Sequence, residues 1–293
     1  MFRRETAGRK IALTIIYLFV LLLVLLMTLP FFNILAVSLS HETPILRGDV
    51  RFIPLGFNIK AYEKVFKESQ IILALQNTAL LTIVGTSINM AMTIFAAYPL
   101  SKPWLKGRSV IMSIITFTML FGAGMIPNYL LISRLKLLNT FWALWLPGAM
   151  STFNLIILKS FFQTLPASLE ESAQIDGASQ FRILMQITLP LSLASLATLA
   201  LFYAVGWWNS YFSNLLYIQS SKLITLQIQL RNLIYMRDSN IMAQAADTED
   251  AFRITEEGVK AVSIVIATVP ILVVYPFLQK YFVKGVMIGS IKG

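Results

Sequence analysis

Residues able to carry chemistry are scarce in this chain. None of the 293 residues is cysteine and only His41 is histidine. Disulfides, thiolate metal sites and most zinc or Ser-His-Asp arrangements are therefore unavailable. No G-x-x-x-x-G-K-[ST] run is present, so the chain cannot supply a phosphate-binding loop of its own. What stands out is a polar island at 165–191, LPASLEESAQIDGASQFRILMQITLPL, which holds Glu170, Glu171 and Asp176, three of the fourteen acidic residues. Carboxylates in such a setting suit either acid–base work near a membrane interface or pairing with the basic groups of a docked partner. A second set is polar but uncharged: Asn77, Asn89, Asn154, Asn209 and Asn214, with Trp207, Trp208 and Tyr211 around Asn209. Amides that hydrogen-bond and rings that stack suit a polar, uncharged solute such as a sugar. The alternative is interhelical hydrogen bonding by Asn and interfacial anchoring by Trp.

The elements that must position these residues are membrane helices. The chain is 57% hydrophobic and 13% charged, with a mean hydropathy of +0.72, where soluble domains carry about 25% charged residues. Six apolar stretches read as spans of an all-α integral membrane protein, at about 11–37, 72–98, 109–132, 141–160, 191–216 and 261–281. The first has a basic N-terminal flank, residues 1–10. Its apolar run is too long for a signal peptide and no small-residue cleavage site follows, so it reads as a retained span. The net charge of +10 is scattered rather than gathered in a stripe, which favours loops facing anionic lipid over nucleic acid.

Short-loop charge sets the orientation. Arg3, Arg4, Arg9 and Lys10 precede the first span, Lys102, Lys106 and Arg108 fill the second loop, and Lys280, Lys284 and Lys292 lie at the C-terminal end. This places both termini and the loop at 163–190 in the cytoplasm. Summed over every loop, Lys plus Arg divides evenly, twelve to a side, with much of the outer set in the long loops 38–71 and 217–260. The six spans hold no Asp, Glu, Arg or His, and their two lysines, Lys159 and Lys280, lie close to cytoplasmic ends. Ion-coupled transporters and intramembrane hydrolases normally need such groups within the bilayer. The energy source is therefore expected to lie outside the chain, with backbone carbonyls as the remaining way to hold an ion.

Within the island, Pro166 presets a helix start and Ser168-Leu169-Glu170-Glu171 fits a capping box with Ser168 at the N-cap. The helix is expected to end near Asp176, where Gly177 supplies a left-handed residue. Ser179 can cap a second short helix with Phe181, Leu184 and Met185 on one face, before Pro190 opens the next span. Small residues at the bend, Ala173, Gly177 and Ala178, let a partner approach closely. An ordinary interfacial loop with Glu171 merely capping is equally compatible with the spacing.

Glu171-Ser172-Ala173, three residues, Gly177, nine residues, Ile187, Thr188, Leu189-Pro190 resembles the E-A-A-x3-G-x9-I-x-L-P loop of binding-protein-dependent ABC importer permeases. The match, with Asp176-Gly177-Ala178, is similar to the carbohydrate-uptake branch that includes the maltose importer. Ser172 departs from the usual second alanine, a small-for-small change. Residues 122–162 and the ending YFVKGVMIGSIKG also resemble this family's smaller permeases, with oligosaccharide, polysaccharide and alginate-type importers as the nearest group.

The resemblance implies a type I importer fold with cytoplasmic coupling helices in a bacterial inner membrane. It implies a second permease subunit, two ATPase subunits that bind the ATP and Mg, an extracytoplasmic solute-binding protein, and no catalysis or metal in this chain. Glu171 would pair with a basic residue of the ATPase, Gly177 would make the bend, and Ala173 and Ala178 would lie at the contact. Gly289, Ser290, Ile291, Lys292 and Gly293 would reach toward the ATPases, a frayed terminus being the alternative. The acidic loop 217–260 (Asp238, Asp247, Glu249, Asp250, Glu256, Glu257) would receive the binding protein, or is simply solvated. In the maltose system the solute site lies chiefly in the other permease. An ion-coupled secondary transporter and a membrane-embedded enzyme are the alternative readings.

Overall fold

A computed structural model of the chain describes residues 7–68, 70–241 and 256–290. Long apolar runs form helices because a helix satisfies its backbone polar groups within one segment. Every regular element among the described residues is helical. In chain order these are α1 (Ala7–Ser38), α2 (Glu42–Leu46), α3 (Lys60–Glu68), α4 (Ile71–Ser101), α5 (Arg108–Leu120), α6 (Met125–Arg134), α7 (Trp142–Trp145), α8 (Thr152–Phe162), α9 (Ala167–Ile175) and α10 (Gln180–Ile183). A π-helical turn (Leu184–Thr188) leads to α11 (Leu189–Leu191), α12 (Leu193–Trp208) and α13 (Phe212–Tyr217). A 3-10 turn (Ser221–Leu223) precedes α14 (Leu226–Ile241) and α15 (Glu256–Ser290).

The chain divides into two compact units, Met1–Ile71 with Leu230–Val269 and Ile72–Gln229 with Pro270–Gly293. In the first unit, α1 is apolar on all sides, and its most apolar window has none of its residues buried. That is the pattern of a helix surrounded by lipid or by another subunit. Its C-terminal end is clasped by the segment that follows. The Asn33 amide donates to the carbonyls of Val50 and Arg51 at 3.2 and 2.6 Å, and Ala36, Ile45 and Val50 form a small core.

The second unit is organised by α4, whose polar side chains satisfy backbone that is not helical. The Asn77 amide donates to the carbonyls of Lys222 and Ile224, both at 2.9 Å. Thr78 Oγ1 accepts the Leu226 N–H at 2.8 Å, and Asn89 Nδ2 donates to the Gly148 carbonyl. Thr93 shares a 2.7 Å hydrogen bond with the Tyr203 hydroxyl, which accepts the Ser151 N–H at 3.1 Å. Irregular backbone inside a membrane protein requires such partners, since lipid offers none. One core gathers Leu81, Ile132, Phe141, Leu144, Trp145 and Tyr217. A second gathers Tyr98, Leu100, Leu155, Leu158, Phe162, Leu184 and Leu199.

Gly8–Ser38, Ile71–Ser101 and Glu257–Pro276 are each long and apolar enough to cross a membrane. Counting two bent pairs as one span each raises the number to five. Three expected spans are not single helices. The one at 109–132 is broken between α5 and α6 by a bend of 108°, at Gly124, whose φ of +83° and extended ψ suit glycine alone. That at 141–160 holds only the four-residue α7 and the eleven-residue α8, separated by Pro147 and Gly148. The one at 191–216 ends its first helix at Trp208 and resumes at Phe212. The segment at 217–260, expected as an outer loop, contains all of α14, while 242–255, with Asp247, Glu249 and Asp250, lies outside the described residues.

Candidate functional site

The island folds as a bent pair of short helices. Helix α9 starts one residue after Pro166, its N-cap, with no side-chain cap. The expected capping box therefore does not form: Ser168 lies inside the helix, and its carbonyl accepts the Ser172 hydroxyl at 2.9 Å. That bond absorbs the one polar atom by which Ser172 differs from alanine. At the other end Asp176 is the C-cap and Gly177 has φ +77°. Gly177 N–H donates to the Gln174 carbonyl and Ala178 N–H to the Ala173 carbonyl, at 3.0 and 2.9 Å. This pair of bonds is a Schellman motif, which closes the helix and needs the left-handed residue. Ser179 Oγ then accepts the Arg182 N–H at 3.3 Å and starts α10. Pro190 has no N–H to offer the carbonyl four residues back, and the π-helical turn containing Ile187 lies immediately before it.

The two adjacent glutamates have opposite fates. Glu170 forms an ion pair with Lys102 at the end of α4, and the two side chains are only 14% and 9% exposed. The Lys102 ammonium also sits 4.7 Å from the centre of the Tyr98 ring, and the Tyr98 hydroxyl donates to Gln180 Oε1 at 3.0 Å. Thr188 Oγ1 lies 3.5 Å from the same carboxylate. These contacts tie α9, α10 and the π-helical turn to one end of α4. Glu171 instead is exposed, as are Ser172, Asp176 and Gly177. Ile175 is 87% exposed, and Leu169 and Phe181 also present apolar surface to the outside. Phe181 therefore does not share an environment with Leu184, which is buried. Ala173, Ala178, Ile187 and Leu189 are half-buried and Pro190 is exposed.

Among the solute-path candidates, the structure brings Asn154 and Trp207 together in one cavity of about 560 Å³. It is also lined by Asn128, Ser151, Phe202, Tyr203, Ser213 and Tyr217. Trp207 is held rather than free. Its Nε1–H donates to Asn89 Oδ1 at 2.6 Å, and its ring fills the space beside Gly85 and Gly148. Asn77, Trp208, Asn209 and Tyr211 are not in the lining. Asn77 is committed to backbone carbonyls, and Asn209 caps α12 and donates to the Val205 carbonyl at 2.9 Å.

Gly289 and Ser290 fall within α15, which continues well past the expected span end at 281; Ile291, Lys292 and Gly293 lie outside the described residues. Among the described residues no group of three or more metal-ligating side chains occurs. In the sequence Lys102 has only a topological role and Glu170 only a place among the island's carboxylates, because their meeting depends on packing 68 residues apart.

The family model described as binding-protein-dependent transport system inner membrane component matches residues 2–288. The chain is 46% identical to Protein LplC of Bacillus subtilis (strain 168), over 90% of this chain and 89% of that protein. It is 41% identical to the polygalacturonan/rhamnogalacturonan transport system permease protein YtcP of the same organism, over 95% and 97% of the two chains. A chain in the crystal structure of a bacterial ABC transporter involved in the import of the acidic polysaccharide alginate matches with a TM-score of 0.86. It is 29% identical, over 96% of this chain and all of that one. The agreement runs almost end to end in sequence and in fold, and so covers the island and the cavity alike. The chain belongs to the family of binding-protein-dependent transport system inner membrane components, the permeases of ABC importers.

Proposed function

We propose that this chain is one permease of a carbohydrate importer and that the island is its mechanical coupling to ATPase subunits. The observation that carries the coupling role is the split between Glu170 and Glu171. The first is fastened inward to Lys102, and the second stands exposed beside Ile175 and Asp176. An element anchored on one side and open on the other is suited to receive a push from a partner and pass it to α4. Closure of the ATPases on ATP and Mg would move the island. The spans would then rock between inward-open and outward-open arrangements. Glu171 would pair with a basic residue of the ATPase, Ala173 and Ala178 would lie under the contact, and Ile187, Leu189 and Pro190 would carry it into α12. Residues 289–293 would extend toward the same subunits.

A carbohydrate cargo is supported by the names of similar proteins, which mention polygalacturonan/rhamnogalacturonan and the acidic polysaccharide alginate. It agrees with a cavity whose walls are amides, hydroxyls and aromatic rings. A second permease and an extracytoplasmic solute-binding protein complete the assembly, with N- and C-termini in the cytoplasm and the loop at 217–260 outside.

Glu171→Ala tests the coupling role, because the carboxylate is exposed and its loss costs the fold little. Uptake should fall at least tenfold and co-purification of the ATPase subunits should weaken, while the solute-binding protein still docks. Unchanged ATPase association together with unchanged uptake would rule the coupling role out.

A further inference from the structure

The cavity in the second unit has a property that neither the family nor the coupling island explains. None of its lining residues is Asp, Glu, Lys, Arg or His. Its volume, about 560 Å³, lies within the roughly 300–1,000 Å³ of small-molecule sites. Polar groups that line it divide into two kinds. Asn89, Ser151 and Tyr203 are occupied with backbone or with Trp207. The Asn154 side chain is different: the residue is 6% exposed, yet its amide makes no hydrogen bond among the described residues. With no protein partner and its polar atoms not sealed from the cavity, this amide is left to be satisfied by water or by a ligand. Its atoms face the cavity, and the Asn128 amide and Ser213 hydroxyl line the same space.

We propose that Asn154 is a solute-contacting residue and that this cavity takes an uncharged stretch of glycan, with no reading of a carboxylate. The inference rests on the carbohydrate-importer reading. An amide offers two donors and an acceptor, which matches vicinal hydroxyls. The tyrosine, tryptophan and phenylalanine walls match the C–H faces of a sugar ring. A uronate carboxylate would find no cation here, and burying an unpaired charge is far more costly than burying hydroxyls. If the cargo is acidic, its charge must be met by another chain or remain in water while a neutral portion occupies this site.

The test uses the complete importer with its solute-binding protein, reconstituted in proteoliposomes with ATP at the ATPase face. The probes are oligogalacturonides and the α-1,4-linked galacto-oligosaccharides obtained by reducing their C6 carboxyls to alcohols, which share ring and linkage stereochemistry and differ at C6. Asn154→Leu should lower galacto-oligosaccharide uptake per ATP hydrolysed at least fivefold, with loaded binding protein still stimulating ATPase activity. Asn154→Gln should recover part of the loss. Because the chain has no cysteine, a second measurement does not depend on the Asn154 variants folding. Ser213→Cys should react with a methanethiosulfonate reagent, and in the vanadate-trapped complex galacto-oligosaccharide should slow that reaction at least threefold more than oligogalacturonide does.

Wild-type uptake that proceeds with no effect of Asn154→Leu, or with no sugar protection of Ser213→Cys, overturns the proposal alone. Protection by oligogalacturonide equal to or greater than that by galacto-oligosaccharide overturns its neutral character. If neither probe is taken up nor stimulates the ATPase of the wild-type importer, the carbohydrate reading fails and the proposal with it.

Discussion

Trp207 shows how a residue can look functional in sequence and prove to be held for structure. In a Gly-Trp-Trp-Asn run it invites a stacking role, yet its indole occupies a slot that exists because two distant residues are glycine. A Cβ at Gly85 would lie 2.6 Å from the indole, and one at Gly148 would lie 2.9 Å from it. Both distances are far inside van der Waals contact. The indole N–H is bonded to Asn89, which in turn donates to the Gly148 carbonyl. Gly85, Asn89, Gly148 and Trp207 thus form one unit that closes the irregular backbone after α7. Gly85→Ala should push the indole out and strain this unit, at an overpacking cost of about 1–3 kcal/mol. The expected result is a lower midpoint of thermal unfolding for the detergent-solubilised importer and a shifted tryptophan emission spectrum. An unchanged midpoint and spectrum would show that the slot is not tight. Asn154, in the lining of the same cavity, has no such commitments, which is why it rather than Trp207 is proposed to meet the solute.

At the scale of elements, the decisive relation is between α9 and the end of α4. Buried ion pairs are weak evidence for stability, but removing one partner leaves an uncompensated charge at a cost of about 3–5 kcal/mol. Here the site is built around the pair, since Tyr98, Gln180 and Thr188 close over it. Lys102→Ala should therefore loosen the island, lowering uptake more than it lowers ATP hydrolysis, so that more ATP is consumed per solute. The double variant Lys102→Glu with Glu170→Lys should recover part of the coupling. No change in the ratio of hydrolysis to uptake in the single variant would rule out a strut role for the pair. The ends of α9 differ in how far sequence revealed them. Gly177 was readable because a left-handed helix stop is a local requirement that one residue type meets. The start was not: Ser168 and Glu171 have capping-box spacing, but Pro166 begins the helix two residues earlier and leaves Ser168 within it. The break at Pro147 and Gly148 was hidden for another reason. Apolar composition continues across it, and its backbone is satisfied by Asn89 and Tyr203 from elsewhere in the chain.

For the whole molecule, composition established the membrane class, while the orientation rests on fewer residues. Lys and Arg divide evenly between the two sides, so the reading depends on the charge near the span ends, where the positive-inside bias acts. The coupling role proposed for the exposed Glu171 face requires that orientation, because a cytoplasmic ATPase could reach the island only from that side. The absence of cysteine makes the orientation measurable with single substitutions. Ser172→Cys, on the exposed side of α9, should react with a membrane-impermeant maleimide in inside-out vesicles and not in intact cells. Ser221→Cys, exposed in the 3-10 turn after α13, should react in intact cells. Adding the ATPase subunits should slow labelling at 172 without affecting 221, since only the island is covered. The reverse labelling pattern would place the island outside and remove coupling to a cytoplasmic ATPase from its possible roles. Slowing at 172 would join two separate proposals, that the island is cytoplasmic and that its exposed glutamate face is the one that docks.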